Sequence, residues 1–136
     1  MSLTEEERSA IISYRITKAW ETLKEAKGIS NLKYWNAVAN RLYYSCYYIT
    51  GALLIASNYT AQTHNGVIHL LGLHFIKTGR ISKEAGKLYS RLYEIRQSGD
   101  YDDLFDLEEV DVKPLINRAE LYIEELEKIL RTGYLV

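Results

Sequence analysis

One arginine and four tyrosines lie close together in residues 40–48, which read Asn-Arg-Leu-Tyr-Tyr-Ser-Cys-Tyr-Tyr. In a helix, Arg41 and Tyr48 return to nearly the same face about 10.5 Å apart along the axis, with Tyr44 between them. A guanidinium group beside phenol hydroxyls could hold a phosphate, because its fixed fork of N–H donors matches phosphate oxygens. The pattern is also typical, and more often so, of a tyrosine stripe in a core or interface, with an arginine whose charged end reaches water. Both interpretations stay open.

A second polar cluster follows later in the chain and consists of Arg96, Asp100 and Tyr101. Arg96 and Asp100 have the i, i+4 spacing of an ion pair on one helix face. The cluster could close the end of a helix with that ion pair and a C-terminal cap. It could also face a ligand-binding cleft, and the residues alone leave both roles open.

The three histidines predict no metal centre. His69 and His74 lie about 140° apart around a helix, so they do not form the i, i+4 pair that binds a metal ion. His64 stands at the predicted start of a helix, where it could contribute to a nucleotide or phosphate site or serve the local turn. We expect neither a metal nor a cofactor.

Length and composition predict one domain that spans residues 1–136. The chain is 47% hydrophobic and 26% charged, which is typical of an ordinary globular domain. No apolar run approaches the roughly 18 residues of a membrane span, and the N-terminus is acidic where a secretory signal would be basic. The single cysteine, Cys46, cannot form an internal disulfide. We therefore expect a cytoplasmic protein without a membrane segment.

The apolar residues recur at helical spacing, and one proline and eight glycines offer few interruptions. We predict an all-α fold, an up-and-down bundle of about five helices. Thr4 and Glu7 form the pattern of a capping box for the first helix, and Gly28 would end it. The other predicted helices run from Asn31 to Ser57, from Thr63 to Thr78, from a cap at Ser82, and from Asp111 or just after Asp106.

The charges are unevenly distributed along the chain. The net charge is −1 and the pI is about 6.3, values that argue against a general nucleic-acid binder. Residues 27–98, however, hold nine Lys or Arg and only two Glu, whereas residues 99–136 hold eleven acidic residues and four basic ones. The basic middle helices could form a binding face, or they could be neutralised by the acidic end of the same chain.

Several short segments resemble, in order and spacing, the small HEPN-domain proteins of prokaryotes. The segments that carry the resemblance are residues 39–45 (Ala-Asn-Arg-Leu-Tyr-Tyr-Ser), 63–67 (Thr-His-Asn-Gly-Val), 75–79 (Phe-Ile-Lys-Thr-Gly), Arg96 with Asp100-Tyr101, and Ala119. The resemblance implies a bundle of about five helices that is usually a homodimer, with a cleft between paired helices. Many members are metal-independent endoribonucleases, some of them toxins neutralised by an adjacently encoded small nucleotidyltransferase, and others only bind.

The ribonuclease motif implied by this resemblance is incomplete in the chain. It consists of an arginine and, after four to six residues, a histidine that serves as a base. Arg41 matches the arginine, but the three positions where the histidine could stand hold Cys46, Tyr47 and Tyr48. An ordinary phenol has a pKa near 10, so only about one part in a thousand is phenolate at pH 7. The substitution argues against RNA cleavage.

Three functional hypotheses follow from the resemblance and the residues together. The first is a ribonuclease in which Arg41 holds the phosphate. Tyr48 or Tyr44 would be its catalytic hydroxyl partner, and the Asn40 amide would orient them. The second, which we favour, is a homodimer that binds RNA or a nucleotide without established cleavage, through Asn40, Arg41, Tyr44, His64, Arg96 and Tyr101. The third is a non-catalytic partner of a nucleotidyltransferase, with Tyr48 or Tyr101 as a target for nucleotide transfer.

Overall fold

Helical spacing of apolar residues produces helices along nearly the whole chain. The structure is a computed structural model that describes residues 3–101 and 106–133. In these ranges it contains five α-helices and no strand, which confirms the predicted all-α bundle. The helices are α1 (Glu5–Ser30), α2 (Trp35–Ala56), α3 (His64–Leu71), α4 (Lys83–Tyr101) and α5 (Glu109–Gly133).

The predicted start of α1 is confirmed, but its end and the start of α2 differ from the prediction. The Thr4 hydroxyl accepts from the Glu7 N–H at 3.0 Å, and the Glu7 carboxylate accepts from the Thr4 N–H at 2.9 Å. α1 runs past Gly28, and the turn to α2 contains Lys33 with a φ of 62°. This left-handed residue ends the helical path, so α2 begins at Trp35.

The predicted third helix is divided by a change in winding. α3 begins where the Thr63 hydroxyl accepts from the Gly66 N–H at 2.9 Å, and it continues into a π-helical turn, Gly72–Ile76. The chain then reverses through Gly79, whose φ of 80° suits a residue without a side chain. The Ser82 hydroxyl accepts from the Ala85 N–H at 3.1 Å and so caps α4, as predicted.

α2 lies at the centre of the bundle and packs against α1, α4 and α5. Its buried residues include Leu42, Cys46, Ile49 and Leu53, which have 0% exposure. A polar contact joins this core to α5, since the Thr50 and Tyr122 hydroxyls lie 2.7 Å apart. The side of α2 that no helix covers fully carries the partly exposed residues Asn40, Arg41, Tyr44, Tyr47, Tyr48, Gly51 and Ile55.

None of the helices in residues 3–101 and 106–133 combines the length and the apolar composition that a membrane crossing requires.

Candidate functional site

The uncovered side of α2 places Arg41, Tyr44 and Tyr48 in a row. The Arg41 guanidinium carbon lies 5.5 Å from the centre of the Tyr44 ring, and the Tyr44 and Tyr48 ring centres are 6.4 Å apart. All three residues are partly exposed, and 31% of the Arg41 side chain is accessible to solvent. The sequence-predicted alignment of Arg41 with Tyr48 therefore exists as a row of three side chains at a surface.

Two neighbours hold the Arg41 guanidinium group in place. Its Nε and Nη2 atoms donate to the Asn40 Oδ1 atom at 3.1 and 2.8 Å. Its Nη1 atom donates to Glu25 Oε1 on α1 at 3.3 Å. The Asn40 amide nitrogen in turn donates to Asp100 Oδ2 on α4 at 2.9 Å. Asn40 thus connects the two motifs of the sequence, which are distant along the chain.

Arg96 is the buried counterpart of Arg41, with an exposure of 3%. Its Nη1 atom lies 3.7 Å from Asp100 Oδ2 and 3.4 Å from the Tyr101 hydroxyl, whereas its Nε atom is buried without a hydrogen-bond partner among the described residues. The guanidinium carbon lies within 5.8 Å of four ring centres, those of Tyr43, Tyr44, Tyr93 and Tyr101.

Arg96 thus contacts most of the aromatic side chains of the cluster at once. A cation desolvated against aromatic faces gains about 2 kcal/mol or more from cation–π attraction, and the Asp100 carboxylate balances its charge. The predicted ion pair at the end of α4 is therefore present. Arg96 and Arg41 both approach the Tyr44 ring at 5.5 Å, so the ring connects the buried cation to the exposed one.

His64 joins the same cluster from α3. Its Nδ1 atom lies 2.5 Å from the Tyr43 hydroxyl, and its ring centre lies 5.1 Å from that of Tyr47. Partial burial, together with the positive charge of Arg96, lowers the pKa of His64 below the usual value. Burial raises the pKa of Tyr43 to about 12. At neutral pH the cluster therefore contains a neutral imidazole beside a protonated phenol.

The other histidines and the cysteine lie apart from this cluster. The His74 ring stacks on Tyr59 with a centroid distance of 4.2 Å, and His69 is exposed. In the part of the chain that the structure describes, no three His, Cys, Asp or Glu side chains gather as ligands for a metal ion. Cys46 is fully buried, and burial raises the pKa of its thiol to about 12, so it remains a protonated core residue.

The connected residues form one site with an interior and a surface. The interior consists of Arg96 and Tyr43, and the surface consists of Arg41, Tyr44 and Tyr101, of which Tyr101 is 71% exposed. Such a surface can hold a phosphate with a guanidinium group and stack a planar base on a phenol ring. Nothing in the spacing within α2 indicated that His64 would approach this helix, because the contact depends on how α3 packs.

Comparison with known proteins agrees with this architecture. The HEPN domain model matches residues 12–129 of the chain. A UPF0332 protein from Thermotoga maritima is 37% identical over 124 residues, which are 91% of this chain and 94% of the relative. Two proteins from Methanocaldococcus jannaschii carry the names "Putative toxin MJ0605" and "Putative toxin MJ0142". The first is 30% identical over 83% of this chain and 84% of its own length. The second is 26% identical over 85% of this chain and 78% of its own length.

The matched range contains both connected motifs, Asn40-Arg41 and Arg96 with Asp100-Tyr101. It also contains all of α2, α3 and α4 and the greater part of α1 and α5. The helical bundle, the position of the motifs and the family match agree, and this chain belongs to the HEPN domain family.

Proposed function

We propose that this protein is a toxin-type HEPN protein that binds RNA on the uncovered side of α2. The observation that supports the proposal most directly is the state of Arg41. Two hydrogen bonds that Arg41 donates to the Asn40 Oδ1 atom fix the guanidinium group above the Tyr44 ring, and 31% of the Arg41 side chain stays accessible. A fixed and accessible fork of N–H donors can bind a phosphate without first losing side-chain freedom.

The ion pair between Arg41 and Glu25 does not prevent phosphate binding. The Glu25 side chain is 51% exposed, and the pair distance is 3.3 Å. An ion pair at a surface contributes only about 0–1 kcal/mol, because water screens it. A phosphate group that accepts from Arg41 can therefore displace the Glu25 carboxylate. Asn40 would continue to hold the guanidinium group from its other edge.

The tyrosine rings supply the second part of the proposed interface. Tyr44 and Tyr48 lie along α2 beyond Arg41, and Tyr101 lies at the exposed end of α4. Stacking of a base on an aromatic side chain contributes about 1–3 kcal/mol and tolerates any base. Arg96 acts as a positioning residue, since it is buried beneath these rings.

The proposed activity is binding rather than cleavage. Tyr48 occupies the position that the longest form of the family motif gives to its histidine. An ordinary phenol is almost fully protonated at neutral pH, so it is a poor general base. The neutral imidazole of His64 is the group in the cluster best suited to accept a proton, but its Nδ1 atom already contacts Tyr43. Cleavage of RNA in EDTA that is lost in Arg41→Ala would instead indicate a metal-independent endoribonuclease.

The proposed assembly is a homodimer through the uncovered side of α2. Beyond the RNA-binding row, this side also carries partly exposed aromatic and aliphatic residues, among them Tyr47 and Ile55, which two copies could bury against each other. The substitution Ile55→Glu would place a charge in that contact and should convert the dimer to a monomer in sedimentation velocity. A wild-type protein that sediments as a monomer at all concentrations would contradict the dimer without affecting RNA binding.

A direct test of RNA binding compares Arg41→Gln with wild type. Glutamine keeps an amide donor but removes the charge, and loss of a charged hydrogen bond to phosphate costs about 1.5–3 kcal/mol, roughly tenfold or more in affinity. We expect that loss when fluorescence anisotropy is measured with a single-stranded RNA in EDTA at low salt.

The matched control is Arg131→Gln. Arg131 also forms a surface ion pair, with Glu127 at 2.6 Å, but it lies at the far end of α5. It loses the same charge and should retain wild-type affinity for RNA. Equal affinities of wild type and Arg41→Gln would contradict the proposal.

A second candidate function rests on the exposure of Tyr101. Its side chain is 71% exposed, and its hydroxyl lies 3.4 Å from Arg96 Nη1, which could orient it. A small nucleotidyltransferase partner could use this phenol as an acceptor. The phenol oxygen would form a bond to the α-phosphorus of ATP, pyrophosphate would leave, and the phenol proton would pass to solvent.

The test of this candidate is the intact mass of the protein after incubation with such a transferase, ATP and Mg²⁺. An increase by one AMP unit that disappears in Tyr101→Phe would support Tyr101 as the acceptor. The same increase lost in Tyr48→Phe would assign the less exposed tyrosine instead. An unchanged mass of the wild-type protein would remove the candidate.

A further inference from the structure

An open cavity of about 480 Å³ lies between α1, the C-terminal half of α2 and the connection to α3. Arg8 and Arg15 of α1 line it, and Asn58 and Thr60 line it from the segment that follows α2. The side chains of Asn58 and Thr60 carry hydrogen-bond donors, as the two guanidinium groups do. The described residues that line the cavity include no Asp and no Glu. Its wall thus offers two cations and several donors, but no carboxylate.

The two arginines are fixed next to each other along α2. Arg8 Nη1 donates to the Ile55 carbonyl at 2.8 Å, and Arg15 Nη1 donates to the Gly51 carbonyl at 3.1 Å. The two carbonyls are one helical turn apart, about 6 Å along the axis. A guanidinium group has five N–H donors, and each of these groups uses one of them on the described backbone. Both side chains are partly exposed, so their other donors are available to a ligand.

The backbone of α2 does not need either arginine to satisfy these carbonyls. Gly51 lies inside the helix, where its carbonyl has the Ile55 N–H as its regular donor. The Ile55 carbonyl accepts from the Asn58 N–H at 3.2 Å. Both carbonyls therefore have a backbone partner without the arginine side chains. The two side-chain bonds position the cations rather than complete the helix.

Gly51 supports the placement of Arg15. A Cβ atom at this position would lie 3.2 Å from Arg15 Nη1, closer than ordinary van der Waals contact. A glycine in the interior of a helix is unfavourable relative to alanine, because the unfolded chain has more freedom to lose. Here the missing side chain lets the guanidinium group lie directly against the backbone of α2. The position of this cation is therefore built into the helix.

The positive charge of Arg8 and Arg15 is not balanced within the part of the chain that the structure describes. Neither side chain forms an ion pair there, whereas Arg41 and Arg96 each pair with a carboxylate. The C-terminal end of α2 contributes a partial charge of about −0.5 from the helix dipole, against two unit positive charges. More than one positive charge therefore remains at the cavity, and it attracts an anion.

We infer that this cavity binds a divalent tetrahedral oxyanion, a phosphate group, between Arg8 and Arg15. The two oxygens of a carboxylate lie in one plane and suit the edge of a single guanidinium group. A tetrahedral oxyanion presents oxygens in several directions, so it can accept from two groups that are one helical turn apart. Its two negative charges also match the two cations. The site is separate from that of Arg41, since Gly51 lies ten residues further along α2, about 15 Å along the axis.

The test is titration of the full chain with inorganic phosphate in a low-salt buffer that contains no other divalent anion. The NMR amide signals of Gly51 and Asn58 should shift and reach saturation. Sulfate should reproduce these shifts, because it is also a divalent tetrahedral oxyanion. Chloride at the same ionic strength should not, because it carries one charge and has no oxygen acceptors. Equal shifts with chloride, or no saturable shift with phosphate, would overturn the inference.

Charge-removing variants assign the binding to the two arginines. Arg8→Gln and Arg15→Gln keep an amide donor for the α2 carbonyls, and each should weaken phosphate binding about tenfold or more, since charged hydrogen bonds to the ligand are lost. The matched control is Lys24→Gln, which removes one charge from an exposed position of the same helix and should keep wild-type affinity. Arg41→Gln, the variant that tests RNA binding, should keep it as well. Unchanged affinity in Arg15→Gln would overturn the inference.

Gly51→Leu covers the case in which an arginine variant does not fold. Leucine favours the helix and leaves both cations in the chain. Its side chain would enter the cavity wall and displace the Arg15 guanidinium group from the backbone. Phosphate binding should therefore fall about tenfold or more, as in Arg15→Gln, while circular dichroism shows the wild-type helix content. Wild-type affinity in this folded variant would overturn the inference.

Competition distinguishes a free phosphate ion from a phosphate group of RNA. A single-stranded RNA that displaces inorganic phosphate, and that also binds more weakly to Arg15→Gln, would show that the RNA backbone supplies the oxyanion. Phosphate that stays bound at saturating RNA would show that the free ion is the ligand. Ile55 borders both the cavity and the proposed dimer contact, so Arg15→Gln is also compared with wild type by sedimentation velocity. Loss of phosphate affinity with unchanged sedimentation excludes altered assembly as its cause.

Discussion

Arg41 and Arg96 both place the guanidinium carbon 5.5 Å from the centre of the Tyr44 ring, yet they lie in different environments. The Arg41 side chain is 31% exposed and pairs with the exposed carboxylate of Glu25. Arg96 is enclosed by tyrosine rings and pairs with Asp100 at 3.7 Å. A shared ring thus separates a cation that water can reach from one that it cannot.

The difference explains how one cluster can be both stable and available to a ligand. An arrangement that breaks the buried pair of Arg96 and Asp100 would leave an unpaired charge in a dry site, which is costly. The side chains around Arg96 are therefore held in one arrangement. Loss of an exposed partner costs little, because water replaces it. Arg96 therefore fixes the rings, and Arg41 presents a charge on top of them. Asn40 connects the two halves through its bonds to Arg41 and Asp100.

The largest expected effect is the loss of stability when Arg96 is substituted. Arg96→Leu should lower the free energy of unfolding by about 3 kcal/mol, because the buried ion pair and the cation–π contacts with four rings are lost together. Urea denaturation, monitored by circular dichroism, measures this change in the free energy of unfolding. Arg41→Leu, the exposed counterpart, should lower stability by less than about 1 kcal/mol. Similar losses in the two variants would show that burial does not distinguish these arginines.

The helices were predictable from the sequence because their signals are local. The capping pattern of Thr4 and Glu7 and the cap at Ser82 depend on residues three apart, and the structure contains both. The ends were less predictable where no local signal exists. Lys33 adopts a left-handed conformation without being Gly or Asn, and the π-helical turn Gly72–Ile76 leaves the apolar spacing unchanged.

The candidate site was predictable only where its residues share one helix. The row of Arg41, Tyr44 and Tyr48 follows from helical spacing alone. The bond between Asn40 and Asp100 spans 60 residues and depends on how α2 packs against α4. The burial of Arg96 did leave a signal, since it stands four residues after Leu92, on the buried face of α4. The contact between His64 and Tyr43 left no such signal in the sequence, because it depends on how α3 packs against α2.

A smaller effect is expected at the residue that joins the two halves. Asn40→Ala removes one hydrogen bond to Asp100 and two from Arg41, and we expect a loss of about 1–2 kcal/mol in the free energy of unfolding, because each partner remains partly solvated. RNA affinity should fall as well, since Arg41 is no longer held in place. In a double-mutant cycle, Asn40→Ala and Asp100→Ala should be non-additive, and additive losses would contradict the proposed connection.

The smallest effect is a pH dependence that belongs to His64. Burial and the charge of Arg96 lower its pKa in the folded protein, so the unfolded chain, with a histidine pKa of about 6.5, binds a proton more readily. The stabilising contribution is complete above about pH 7 and is lost as the pH falls through the folded pKa.

His64→Gln should therefore flatten the decrease in unfolding free energy on the acidic side of about pH 6.5, where unfolded histidine begins to bind protons. His69→Gln is the matched control, because His69 is an exposed histidine on the same helix, and it should keep the wild-type dependence. Urea titrations at a series of pH values measure the slope. An equally steep slope in His64→Gln would mean that other groups cause the acid sensitivity, and that burial and the charge of Arg96 do not hold His64 neutral.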